Sequence, residues 1–213
     1  MSSSDLKSLF QLAKSVNAVE TIYVGTNQNA HGSSKYSTQS FRYIIAMDFE
    51  ATCWPKETQQ WKANEIIEFP AVLLNFGNGK IESEFRQYVM PIENPRLSDF
   101  CRALTGIRQE DVNAGVPLHT CLFLFDKWLK QILSERKLVL PKTDANNQHG
   151  DVAFATWSDW DFGTCLHNEC TRKQTKKPSY FEQWVDVRAM VTGINRHSKQ
   201  LQQKQPLRKS VVG

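Results

Sequence analysis

The sequence predicts an α/β fold, a mixed sheet with helices on its faces, and three observations carry that expectation. Three strand-like stretches, 42–49, 65–76 and 81–90, follow closely, the last two joined by the tight-turn signal Phe76-Gly77-Asn78-Gly79-Lys80. One long stretch, 117–135, repeats its apolar residues at helical spacing. Beyond it a strand, a helix and an extended segment alternate, which adds parallel strands to an antiparallel meander.

The elements follow in order. Residues 1–40 read as an appendage, with Leu6, Leu9, Phe10, Ala13 and Val16 at helical spacing and a linker rich in Gly, Asn, Ser and Gln over 25–40. The domain proper is expected over 41–190. Pro70 inside the second strand implies a bulge or a locally unpaired position. Pro91 and Pro95 end the meander, and Ser98 has the character of an N-cap for a short helix running towards Leu104. Pro117 starts the long helix, whose apolar face is Leu118, Cys121, Leu122, Phe125, Trp128, Leu129, Ile132 and Leu133. After a polar loop at 141–151 come a strand at Val152–Trp157, a helix from about Asp161 to Lys173 and an extended segment over Trp184–Arg188. Residues 191–213 read as a basic polar tail, and no internal repeat is visible.

Composition bounds the function. At 213 residues with 40% apolar content the chain suits one domain with an appendage and has enough material for a core. A net charge of +4 suits a polyanionic partner without identifying one. Five scattered cysteines, odd in number and without a Cys-x-x-Cys, read as reduced thiols of a cytoplasmic or nuclear protein. Cys165-x-His167-x-x-Cys170 resembles half of a zinc site, but no second half exists. No secretory segment follows Met1 and no apolar run approaches the ~20 residues that span a bilayer, so a soluble protein without membrane contact is expected.

The chemistry concentrates at the end of the first strand, Ile44-Ile45-Ala46-Met47-Asp48-Phe49-Glu50-Ala51-Thr52-Cys53-Trp54. Asp48 and Glu50 are two apart, so on a strand they point to one side. Two carboxylates at the end of an apolar strand repel and resist burial unless a cation compensates them. Hard oxygen ligands favour Mg²⁺ or Mn²⁺ over zinc. A polar turn ending a strand accounts for most isolated Asp-x-Glu triplets, but the apolar lead-in and the Ala-Thr-Cys-Trp that follows favour a metal site. A second acidic cluster, Trp157-Ser158-Asp159-Trp160-Asp161, closes the Val152 strand and opens a helix. Acids there serve equally as helix caps, yet a neighbouring strand end is where partners for Asp48 and Glu50 are needed. Two metals held by carboxylates activate water and neutralise a leaving oxygen in phosphodiester cleavage, and flanking tryptophans offer faces for unstacked bases.

These residues resemble a known family. Asp48-Phe49-Glu50-Ala51-Thr52-Cys53 and Trp157-Ser158-Asp159-Trp160-Asp161 look like the first two motifs of the Eri-type (enhanced RNA interference) 3′–5′ exoribonucleases, of the RNase T-like superfamily. Glu65-Ile66-Ile67-Glu68-Phe69-Pro70-Ala71-Val72, Leu104-Thr105-Gly106-Ile107 and Trp184-Val185-Asp186-Val187-Arg188 agree in kind and order. The resemblance covers roughly 41–190 and implies an RNase H-like mixed sheet. It implies that Asp48, Glu50 and Asp161 are the catalytic and metal-binding acids, with two Mg²⁺ or Mn²⁺ ions in a complete site and Asp159 a loop residue. It places Glu50, Ala51, Thr52, Leu104, Ile107 and Trp160 around the terminal nucleotide of a single-stranded RNA or DNA 3′ end. Plain core packing competes with that role for Leu104 and Ile107, and a helix-ending turn explains Thr105-Gly106.

The family's third motif, a histidine with an aspartate five residues later, is not found. No Asp or Glu follows Asp186, and His197 has Gln202 five residues on. The chain therefore reads as ending before its last strand–helix unit. The function expected is 3′–5′ exonuclease action on RNA, weak in this chain; the alternative is a catalytically impaired RNA 3′-end-binding or regulatory isoform. His119, His149 and His167 are the other histidines near the motifs, each more in keeping with a solvent or packing position than with a substitute base.

Overall fold

The computed structural model describes residues 41–58, 63–141 and 150–192. The expectations for 1–40, for His149 in its loop, and for His197 and the tail from 193 lie outside the described residues.

Among these, six strands form one sheet. β1 (Tyr43–Met47) runs antiparallel to β3 (Ile66–Asn75), with Met47 opposite Ala71. The ladder lapses at Asp48 and Phe49 and resumes as β2 (Glu50–Ala51), with Glu50 opposite Glu68. Both pairings share one register, so Asp48 falls opposite Pro70, which has no N–H to donate. The strand expected over 42–49 is thus divided at its functional end. Pro70 itself stays in register with Arg86; the irregularities fall between Glu50 and Ala51 and between Leu73 and Leu74. β4 (Lys80–Tyr88) lines the other side of β3, while β5 (Val152–Thr156) runs parallel to β1 and β6 (Val185–Asp186) parallel to β5.

Burial explains the composition of the strands. β3 is buried along nearly its whole length, which a near-continuous apolar run permits. β4, at the edge, alternates exposed and half-buried residues. The hairpin between them turns on Gly79, at φ +67°, whose N–H donates to the Asn75 carbonyl at 2.8 Å.

Helices flank the sheet. α1 (Asp99–Thr105) is capped by Ser98, whose Oγ accepts from the Cys101 N–H at 2.9 Å, and it ends on Gly106 at φ +70°. α2 (Gln109–Asn113) follows; its few residues lack the periodicity that would have announced it. α3 (Leu118–Arg136) buries Leu118, Cys121, Leu122, Phe125, Leu129 and Ile132 against Ile45, Met47, Phe69 and Leu73. Phe125 stacks on Phe181 with ring centroids 5.5 Å apart.

The helix expected from Asp161 differs in its first half. Residues Trp160–Leu166 form a π-helical segment that passes into α4 (His167–Arg172). The wider turn lets Asp161, Phe162, Cys165 and Leu166 all face inward. Of the extended segment over 184–188 only Val185 and Asp186 pair; Asp186 Oδ1 then accepts from Ala189 N–H at 2.7 Å, opening a helix over 187–192.

A buried ionic clasp joins α4 to the start of β3. Glu65 and Glu169 are both 0% exposed, and Lys173 Nζ reaches them at 2.8 and 2.5 Å. Glu65 also accepts from the N–H groups of Ile92, Glu93 and Asn94, and Glu169 from that of Ile66 at 2.7 Å. Burial pushes the Glu65 carboxyl up, but Lys173 and those N–H groups outweigh it and hold the group below its usual value. Burial wins at Glu169, which is raised.

Removing the cation leaves two buried carboxylates, so Lys173→Met is expected to cost about 3–5 kcal/mol in urea unfolding at pH 8. Glu169, already raised, then takes up a proton as pH falls, and the deficit narrows towards pH 5. A loss under about 1 kcal/mol at pH 8 would show that the clasp contributes little.

Candidate functional site

The site is built where β1, β2 and β5 end. Ile45, Met47, Phe49 and Ala51 belong to the main core, while Ile44 packs with Ala153, Ala155 and Ala46 on the opposite face. By that alternation Asp48 and Glu50 emerge together on the second face, both half-buried.

Asp161 arrives from the π-helical segment that follows β5. Its Oδ1 accepts from the Phe49 N–H at 2.8 Å, so a backbone group between Asp48 and Glu50 holds an acid 112 residues away. Asp161 is 2% exposed. Burial raises its carboxyl to about 7; the Phe49 N–H opposes the shift and the charge of Asp48 adds to it. Asp159, the other acid of this cluster, is exposed and accepts from Trp184 Nε1 at 3.1 Å. It ties the turn to the β6 approach.

The loop after Glu50 is held from two sides. Thr52 N–H donates to the Glu65 carbonyl at 2.8 Å, and Thr52 Oγ1 accepts from the Glu65 N–H at 2.9 Å. On the other side Cys101 Sγ donates to the Ala51 carbonyl at 3.6 Å and Ser98 Oγ to the Cys53 carbonyl at 2.6 Å, docking α1 onto the loop. Thr52 is 1% exposed, and its hydroxyl is committed to the Glu65 N–H. Ile107, at 4% exposure, packs with Ile67, Leu97, Cys101 and Val112 beneath α1. Leu104 and Trp160, by contrast, are 67% and 39% exposed. These two offer open apolar surface on elements tied to the 49–53 segment.

Glu68 and Arg86 were not singled out by sequence. Glu68 lies directly opposite Glu50 and shares its face. It is 2% exposed and pairs with the Arg86 guanidinium, whose Nη2 donates to Tyr88 Oη at 2.7 Å. An acid inside the apolar run 66–74 was the available signal, since a charge there requires a partner.

Carboxylate oxygens gathered at one sheet end are the donor set that hard divalent cations take. Among the described residues no three His, Cys, Asp or Glu side chains close on a common point, and Asp161 turns to the Phe49 N–H. The Cys165/His167/Cys170 set is dispersed as well: both sulfurs are buried and the imidazole is exposed. All five cysteines are free thiols.

The exonuclease (RNase T) family model matches residues 45–211. The 3′-5′ exonuclease Snipper of Drosophila melanogaster is 51% identical over 165 residues, 77% of this chain and 59% of Snipper. ERI1 exoribonuclease 2 of Xenopus laevis is 46% identical over 182 residues, 84% of this chain and 26% of that protein. The chain thus spans less than two thirds of the length of these relatives. The solved nuclease domain of 3′hExo, described as a DEDDh family member bound to rAMP, superposes with a TM-score of 0.58 at 31% identity, over 78% of this chain and 72% of that one. The chain belongs to the exonuclease (RNase T) family, among its Eri-type 3′–5′ exonuclease members.

Proposed function

We propose that the chain acts on RNA 3′ ends as a metal-dependent 3′–5′ exonuclease, with Asp48, Glu50 and Asp161 as its acids. The observation that carries this is the 2.8 Å bond from Phe49 N–H to Asp161, which docks the second acidic motif against the backbone of the first. The donor chemistry there suits Mg²⁺ or Mn²⁺. A divalent ion supplies charge neutralisation at the scissile phosphate and activation of water. The chain's own residues do the rest. Asp48 and Glu50 present oxygens from one strand face, and Asp161 is fixed by Phe49 at the mouth of β5. Leu104 and Trp160 offer apolar faces to the terminal base. Supporting the RNA assignment, the superposable 3′hExo nuclease domain was solved with rAMP.

A second reading draws on a specific feature. Residues 187–213 contain no carboxylate, and the described histidines, His119 and His167, are exposed on α3 and α4. A general base contributes about 10²–10⁴ in rate. The 213-residue chain is therefore proposed to hold 3′ ends better than it trims them.

Calorimetric titration with Mn²⁺ is expected to show affinity falling at least tenfold in Asp48→Asn, and equal affinity would remove Asp48 from the site. The raised Asp161 carboxyl keeps its proton below about pH 7, and that proton competes with the cation. Mn²⁺ affinity should accordingly climb between pH 6 and pH 8, and the climb should flatten in Asp161→Asn.

Trp160→Ala is expected to weaken binding of 5′-labelled single-stranded RNA by about 1–3 kcal/mol, the value of one stacked base. Affinity should also fall steeply with salt as phosphate contacts release counterions. Unchanged binding would make Trp160 a surface residue with no part in recognition.

In Mg²⁺ the chain is expected to trim labelled RNA slowly, with Glu50→Ala removing what trimming there is. Appending a strand–helix unit bearing His-x₄-Asp should speed trimming at least a hundredfold, the low end of what a general base contributes. Fast trimming by the unextended chain would instead show that it already holds a competent base.

A further inference from the structure

Two thiols meet beside the loop that follows Glu50. Cys53 belongs to that loop, and Cys101 lies in the first turn of α1. The Cys101 S–H donates to the Ala51 carbonyl at 3.6 Å, and the two thiols are hydrogen-bonded to each other. With its one proton committed to Ala51, Cys101 accepts from Cys53. We infer that Cys53 and Cys101 form a site of reversible oxidation, whose closure as a disulfide releases the Ala51 carbonyl and loosens the loop after Glu50.

The backbones that carry the two sulfurs are tied together. Ser98 Oγ donates to the Cys53 carbonyl at 2.6 Å and accepts from the Cys101 N–H at 2.9 Å. Cys53 also packs on the buried cluster that contains Cys101 together with Ile67, Leu97, Ile107 and Val112. Two backbones joined through one serine hold the sulfurs at a fixed short separation, which is the geometric condition for a bridge. Cys121, Cys165 and Cys170 belong to the main core instead.

Access sets the order of events. Cys53 is half-buried, whereas Cys101 is 0% exposed, so a peroxide from solvent meets Cys53 first. The Cys53 thiolate attacks one peroxide oxygen and is oxidised to a sulfenic acid. The O–O bond breaks, and the other oxygen leaves as hydroxide, which takes up the thiol's proton as water. Cys101 sulfur then attacks the sulfenic sulfur. An S–S bond forms, the S–O bond breaks, and the Cys101 proton leaves with the hydroxyl as a second water. Two thiols and one hydrogen peroxide thus give one disulfide and two waters, and a small thiol reverses the bridge by exchange. Burial, and then the neighbouring Cys101, push the Cys53 thiol up to about 12, so thiolate is scarce at neutral pH and closure is slow there.

The bridge consumes both S–H groups. The Ala51 carbonyl, directly after Glu50, loses its donor, and α1 with Leu104 is tied to the loop at Cys53 instead. The effect on RNA rests on the exonuclease reading, whereas the chemistry of the two sulfurs does not.

The reduced chain is to be exposed to hydrogen peroxide at mildly alkaline pH, blocked with iodoacetamide and mapped by mass spectrometry. A crosslinked Cys53–Cys101 peptide is expected, lighter than its reduced parts by the two thiol hydrogens and released by dithiothreitol. With Ca²⁺ replacing Mg²⁺ to suppress cleavage, the oxidised chain should bind 5′-labelled single-stranded RNA about two- to tenfold more weakly, the scale of one lost hydrogen bond. Dithiothreitol should restore that affinity, which it would not do for methionine sulfoxide. Cys53→Ser leaves the Cys101 S–H in place and cannot bridge, so it should bind like the reduced chain before and after peroxide. Cys101→Ala lacks that S–H and should bind like the oxidised chain under either treatment. Absence of the Cys53–Cys101 peptide would overturn the site. A crosslink that leaves RNA affinity unchanged would overturn the loosening of the loop. Failure of the reduced chain to bind RNA would overturn the exonuclease reading, while the peptide map would still decide the sulfur chemistry.

Discussion

The hydrogen bond from Phe49 N–H to Asp161 can form only because β5 stops pairing with β1 where it does. A backbone N–H inside a continuous ladder is spent on the neighbouring strand. Along β1 the odd-numbered residues turn their N–H groups to the β5 side, as Tyr43 does to the Asp151 carbonyl at 3.1 Å, and Phe49 continues that alternation. β5 pairs with β1 only as far as Ala155, which leaves the Phe49 N–H beyond their shared ladder, and the π-helical segment that follows β5 meets it. Asp161 is then fixed by a backbone atom rather than by a flexible side chain. The whole arrangement follows from strand register, because a one-residue slip would turn Asp48 and Glu50 into the core and Met47 out of it.

The second constraint is how the fold treats negative charge. Glu65, Glu68 and Glu169 are all buried, and each meets a cation: Lys173 serves two and Arg86 the third. Breaking such a pair costs several kcal/mol because the partner stays buried and charged. Asp161 is buried to a similar degree but meets the Phe49 N–H, and its carboxyl rises to about 7. The difference is one of position. Glu65 and Glu169 sit inside a packing interface, while Glu68, opposite Glu50, is covered by the Arg86 guanidinium. Asp161 sits beside half-exposed Asp48 and Glu50, where a cation from solvent can.

Much of this was legible from residues alone. The hairpin, the Ser98 cap, the amphipathic α3 and the shared face of Asp48 and Glu50 follow from local rules of period two, period 3.6 and turn chemistry. What escaped was non-local. The π-helical turn at Trp160–Leu166 depends on Asp161 and Phe162 both being drawn inward, which no helical pattern announces. The clasp needs Lys173 beside Glu65, 108 positions earlier, and Glu68 acquires significance only once register sets it against Glu50. Ile107 and Thr52 carry motif identities that suggest a ligand role, yet α1 packing and the Glu65 backbone claim them first.

The clasp and the site are mechanically one object. Glu65 bonds Thr52 through both its N–H and its carbonyl, while its carboxylate reaches Lys173 beyond the end of α4 and the N–H groups of 92–94 ahead of α1. The loop that follows Glu50, the helix that follows Asp161 and the segment leading to Leu104 therefore all converge on one residue. Movement of any of them must strain bonds to a carboxylate that has no solvent to fall back on. A site assembled from three distant stretches of chain needs such a common anchor, because the sheet alone orders only the strand ends. Burial makes the anchor stiff, and a single lysine makes its charge tolerable.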